Sequence, residues 1–60
     1  MEVGWRRYEA PGNRRVWWHN EETEEFFFED DAASKGWEKF CAEPGKYWWW
    51  HDKAQRFFYV

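Results

Sequence analysis

The sequence predicts an all-β fold built from two three-stranded antiparallel units. Three observations carry the prediction. Aromatic residues make up 27% of the chain (Trp 7, Phe 6, Tyr 3), with no leucine or isoleucine, and aromatic side chains favour strands because they pack across a pleated surface. These residues fall in short runs divided by Pro-Gly pairs and polar turns, not at the three-and-four spacing of a helix. The pattern also recurs. Sliding the chain over itself until Gly4-Trp5 lies on Gly36-Trp37 also places Tyr8 on Phe40, and Trp17-Trp18-His19 on Trp49-Trp50-His51. In this register Asn20 falls on Asp52, and Phe26 and Phe27 fall on Phe58 and Tyr59, without a gap.

Each element follows from local chemistry. A strand over 5–9 begins at the first Trp and stops before Pro11-Gly12, where Pro presets one turn dihedral and Gly supplies a positive φ. A second strand over 14–19 ends at Asn20, and a polar turn rich in glutamate leads to a third over 25–29. The second unit repeats this with strands over 37–42, 46–51 and 56–60, its first turn at Pro44-Gly45. A continuous helix over 21–35 is the competing assignment, since Asn20 and Gly36 would cap it at both ends. Three consecutive phenylalanines, Phe26–Phe28, argue against it, and a single helical turn within Asp30–Lys35 is easier to accommodate. The organisation expected is a first unit over 1–30, a linker over 31–35 and a second unit over 36–60.

Composition narrows the function classes. A 60-residue domain buries only about 60% of its unfolded surface, and here large rings stand in for an aliphatic core. Disordered segments are poor in aromatics, so the chain is expected to fold. The net charge of −3 gives no reason to expect nucleic acid as a partner. One cysteine, Cys41, forms no intramolecular disulfide and no cysteine-based zinc site. No apolar run approaches the roughly 20 residues that span a bilayer, so no membrane partner is expected. With no secretory pattern at the N-terminus, an intracellular setting is the expectation.

On Gly4-Trp5, Trp17-Trp18, Asn20, Thr23 and Phe28, the first unit resembles a WW domain. From the aromatic pair onward its spacing matches that family, with one extra residue in the first hairpin loop. The second unit departs further, with Asp52 for Asn, Gln55 for Thr and Val60 where the second Trp would stand. A shift of one residue would instead make Trp48-Trp49 its pair and Tyr59 its second aromatic, and both registers stay open. Neither unit has the family's leading Leu-Pro or the later Pro that packs under the first Trp. Two uncovered faces in one chain raise the expectation that they cover each other. A fainter likeness, to the Gly-Trp repeats of choline-binding modules, keeps open an aromatic cage for a quaternary cation.

The resemblance implies a groove in which Trp17 and Phe28 clamp a proline of an extended ligand, with His19, Glu21 and Phe26 beside them. It makes Trp5, Trp18 and Asn20 structural. Trp49 and His51 are the corresponding candidates in the second unit. Alternation along a strand splits each Trp pair between two faces, and in a chain without leucine or isoleucine the same rings could equally be core. The function expected is therefore a non-enzymatic module that binds proline-containing peptides or protein partners. The alternative is an assembly unit whose aromatic faces pack on each other or on a partner subunit, including a second copy of the chain.

Other chemistry is poorly supported. His19 and His51 with scattered carboxylates fall short of the three or four converging ligands of a zinc site. No pattern marks Cys41 as a nucleophile, and there is no glycine-rich phosphate loop. No cofactor, metal or catalytic residue is expected. Charge divides unevenly: residues 1–32 carry nine acids against four arginines, net −5, and residues 33–60 carry three acids against five bases, net +2. The glutamates at 21, 22, 24 and 25 suggest an acidic groove that favours basic ligands, or a surface on which the units dock.

Overall fold

The computed structural model describes residues 1–60 as two three-stranded antiparallel sheets. The first contains β1 (Trp5–Glu9), β2 (Val16–Asn20) and β3 (Phe26–Phe28), and the second β4 (Trp37–Glu43), β5 (Lys46–His51) and β6 (Arg56–Tyr59). Each sheet keeps its strands in chain order, so every connection within it is a hairpin. A 3-10 helix, Glu29–Lys35, joins the sheets and ends at Gly36, whose φ of +88° is left-handed. The long helix over 21–35 is absent, because residues 26–28 pair with β2 and only the polar segment after them coils.

The two first hairpins differ, and this corrects the ungapped alignment. Between β1 and β2 lie six residues, in which Arg14 takes a φ of 58° and donates its N–H to the Ala10 carbonyl (3.0 Å). That left-handed residue delays the second strand, so β2 starts at Val16 and not at residue 14. Between β4 and β5 only Pro44-Gly45 intervene, with a bulge between Cys41 and Glu43. The offset that carries Trp5 to Trp37 is therefore one position too long for every strand after the first hairpin. Trp17 pairs with Phe28 and Trp48 with Tyr59; Trp18 with Phe27 and Trp49 with Phe58. The aromatic pair of the second unit is thus Trp48-Trp49.

Alternation then sorts the rings. Trp18, Phe27, Trp37, Trp49 and Phe58 form one buried cluster with Ala32 of the 3-10 helix, and Trp5 packs against it. Rings of one sheet lie on rings of the other. Trp5 stacks on Phe58 at 4.7 Å between centroids, Trp37 stacks on Phe27 at 5.5 Å, and the two tryptophans meet edge to face at 5.4 Å. Each such ring removes about 150–250 Å² from water, and favourable pair geometry adds roughly 0.5–1.5 kcal/mol. A second link is ionic. Arg56 of β6 pairs with Glu2 and Glu25 of the first unit, and Glu2 also accepts from the Trp5 indole at 2.9 Å.

The Gly-Trp step of each unit is locked by one polar side chain. Asn20, 1% exposed, accepts through Oδ1 from the Glu22 and Thr23 amides (2.8 and 3.1 Å) and donates through Nδ2 to the Val3 carbonyl (3.0 Å). His51 does the same in the second unit. Its Nδ1 accepts from the Ala54 amide (3.1 Å) and its Nε2 donates to the Lys35 carbonyl (3.0 Å). Val3 and Lys35 immediately precede Gly4 and Gly36. A Cβ on Gly4 would lie 2.9 Å from Asn20 Oδ1, and one on Gly36 2.5 Å from His51 Nε2, so the close approach demands glycine at both positions.

Candidate functional site

The faces turned away from the buried cluster carry the candidate site. On the first sheet, Tyr8 of β1, Trp17 and His19 of β2, and Phe26 and Phe28 of β3 share this face through the pairings Tyr8–Trp17, Trp17–Phe28 and His19–Phe26. Tyr8 stacks on one side of Trp17 at 4.6 Å and 22°. On the other side, Phe28 lies 6.4 Å away, tilted by 46°. Two parallel plates would need about 7 Å to admit a third ring, twice the 3.5–4.0 Å carbon contact. The two rings therefore form an angled corner and not a flat slot.

The second sheet repeats the arrangement with different residues. Phe40 stacks on Trp48 at 5.1 Å and 27°, and Tyr59 lies 6.4 Å from Trp48 at 45°. The third partner also matches: His19 is 6.4 Å from Trp17 and Trp50 is 6.3 Å from Trp48. Phe26–Phe28 and Phe57–Tyr59 both meet edge to face, at 6.4 and 5.9 Å. Phe26 and Tyr59 are each 58% exposed, as surfaces that could accept a ligand must be.

Most of the expected residues of the first unit come together here, but those of the second do not. Trp17, His19, Phe26 and Phe28 share one outer face, with Glu21 at its edge. Trp49, expected at the surface, is 2% exposed in the core, because the shortened hairpin shifts it to the inward position that Trp18 holds in the first unit. His51 is also displaced: both its ring nitrogens hold backbone and its ring abuts Trp37 at 5.0 Å. Trp48, Trp50, Phe57, Phe40 and Tyr59 supply the outer face in their place. The signal for this was the interval from Trp17 to Phe28, which recurs unchanged from Trp48 to Tyr59.

The charges do not form the acidic groove that the glutamate run suggests. Glu21 pairs with Arg6 at 2.7 Å, Glu25 turns to Arg56 on the opposite side, and Glu24 lies within hydrogen-bond distance of His19 Nε2 at 3.2 Å. Hydrogen bonds from the Arg56 guanidinium hold the carboxyls of Glu2 and Glu25 below the ordinary glutamate value. Arg15 makes a bidentate pair with Asp30 (2.8 and 3.0 Å), whose carboxyl is lowered by those hydrogen bonds, and lays its guanidinium 3.9 Å over the Phe28 ring. One open pocket of about 480 Å³ lies elsewhere, between the N-terminal segment, the Asn20–Glu25 turn and Arg56. No three His, Cys, Asp or Glu side chains converge as metal ligands. No family model, characterised protein or solved structure matches this chain.

Proposed function

We propose that the protein is a non-enzymatic interaction module that binds short extended peptides, proline-containing ones first, through the outer aromatic faces of two divergent WW-like units. The observation that supports this reading is the repetition of one ring constellation, Tyr8–Trp17–Phe28 and Phe40–Trp48–Tyr59, with centroid distances that agree within half an ångström. Folding consumes the inner rings and leaves these six at the surface or partly so. A polyproline II segment suits an angled corner of this kind: it is extended before binding, so it loses little entropy. Its pyrrolidine ring would rest on the open side of Trp17 or Trp48 with an edge against Phe28 or Tyr59.

Titration of proline-rich peptides, followed by amide and indole chemical shifts, tests the reading. Trp17→Ala and Trp48→Ala should each remove binding at one face while the dispersion of the core signals persists. Peptides that bind none of these variants and not the wild type would refute it. Concentration-dependent association of the wild type, lost in Trp48→Ala, would then favour the assembly role.

A further inference from the structure

The two outer faces differ in charge in a way that the equivalence of their rings brings out. On the first sheet the protein covers its own ring: Arg15, anchored to Asp30, lies over Phe28. The residue at the corresponding place in the second unit is Lys46, which pairs with Glu43 at 3.4 Å. No cation of the chain lies over Tyr59. Opposite His19 stands Arg6, itself paired with Glu21. Opposite Trp50 stands Glu38, an exposed carboxylate with no ion pair and no hydrogen bond from a side chain. The first face therefore has its cations built in and its nearby acids engaged. The second has bare rings, two of them indoles, next to an unpaired carboxylate.

We infer that the outer face of the second sheet, formed by Trp48, Trp50, Tyr59 and Glu38, recognises an arginine side chain of an extended peptide. The guanidinium would lie on the Trp50 indole and pair with Glu38, which stands directly across from Trp50 on β4. The inference rests on the peptide-binding reading and assigns the specificity of one of its two faces. Tryptophan is the best ring for such a contact. Directly paired residues on one sheet face hold their Cβ atoms about 4.5–5.5 Å apart, so the Glu38 carboxylate can reach a cation held at Trp50. The prediction runs against the formal charges of the two halves, because the unit with net +2 is the one that selects a basic ligand.

The test uses the full chain and three peptides of one length that differ at one site beside a shared proline: alanine, arginine or glutamate. The indole N–H signals of Trp17, Trp48 and Trp50 report which face is occupied. Arginine is expected to strengthen binding at Trp48 and Trp50 over alanine by roughly twofold to fivefold for an exposed cation on an aromatic face, with up to about fivefold more from the Glu38 ion pair, and glutamate to weaken it. Glu38→Gln should remove the ion-pair share of that preference, and Glu38→Lys should lower it further by repulsion. The arginine-to-alanine affinity ratio, taken within each variant, carries the comparison. Because Glu38 is exposed and unpaired, the fold is not at risk in either variant. Equal affinity for all three peptides, or an arginine preference seen at Trp17 or insensitive to Glu38, would overturn the inference and leave peptide binding intact. Failure of all three peptides would overturn both.

Discussion

Trp49 Nε1 is a buried side-chain donor without a hydrogen-bond partner, and the first unit displays the remedy. There, Trp18 occupies the same inward position and donates its indole N–H to Glu29 Oε2 at 2.7 Å. The offset that carries Trp18 to Trp49 also carries Glu29 to Val60. An orphaned buried donor costs about 1–3 kcal/mol, and a hydrogen bond to a charged group contributes roughly 1.5–3 kcal/mol. Ordering a glutamate side chain takes back up to about 1.5–2 kcal/mol. Val60→Glu should therefore stabilise the fold by about 1 kcal/mol, or around 4–8 °C in Tm for a domain of this size. Urea unfolding would measure the gain, and a downfield move of the Trp49 indole proton would show the new bond. Glu29→Ala should cost a similar amount by orphaning Trp18. An unchanged midpoint and an unmoved Trp49 indole signal in Val60→Glu would refute the equivalence of the two positions.

Three further outcomes follow from contacts elsewhere. Glu2 and Glu25 have native carboxyl values below the ordinary 4.5, so the stability they add is complete above that value and lost as pH falls through the lower native ones; urea midpoints should decline on acidification below about pH 4.5, with a shallower slope in Arg56→Met. His51→Ala should cost roughly 1–2 kcal/mol by freeing the Ala54 amide and the Lys35 carbonyl, whereas His51→Asn, the residue used at position 20, should recover part of it in thermal melts. Residues 1–35 alone should lack a dispersed amide spectrum, because Trp5 and Phe27 lose Phe58 and Trp37; a folded fragment would show that the first sheet needs no partner.

Much of the fold was legible because aromatic runs and turns speak locally. Pro44-Gly45 forms the tight hairpin its dihedral preferences demand, and three adjacent phenylalanines could not lie on one helix face. The first unit's outer residues were legible for the same reason, since alternation fixes the face of each once β2 is placed. The second unit's outer face was not. Its register depends on a shorter first hairpin, and a slip of one residue exchanges the faces of every side chain beyond it. His51 shows that slip: matched to His19 by type, it sits where Asn20 sits. The neutralised glutamates were hidden for another reason. Their partners, Arg6 for Glu21 and Arg56 for Glu25, are remote in sequence, and only strand pairing and contacts between the units bring them near.

The structure also gives a physical reason for so many rings in so short a chain. A three-stranded sheet has two faces, and a chain this short buries only a modest share of its surface. Trp5 meets Phe58 and Trp37 meets Phe27, each drawn from the other sheet. The exchange is reciprocal, so the missing cover of one unit is the third strand of the other. The two inner faces make the shared core, and the outer rings stay exposed or half-buried. Trp17 and Trp48 can then vary their surroundings, Arg6 and Arg15 against Glu38 and Lys46, without touching the shared core. The outer charges differ over a similar ring pattern, and on the proposed peptide-binding reading the two faces select different peptides.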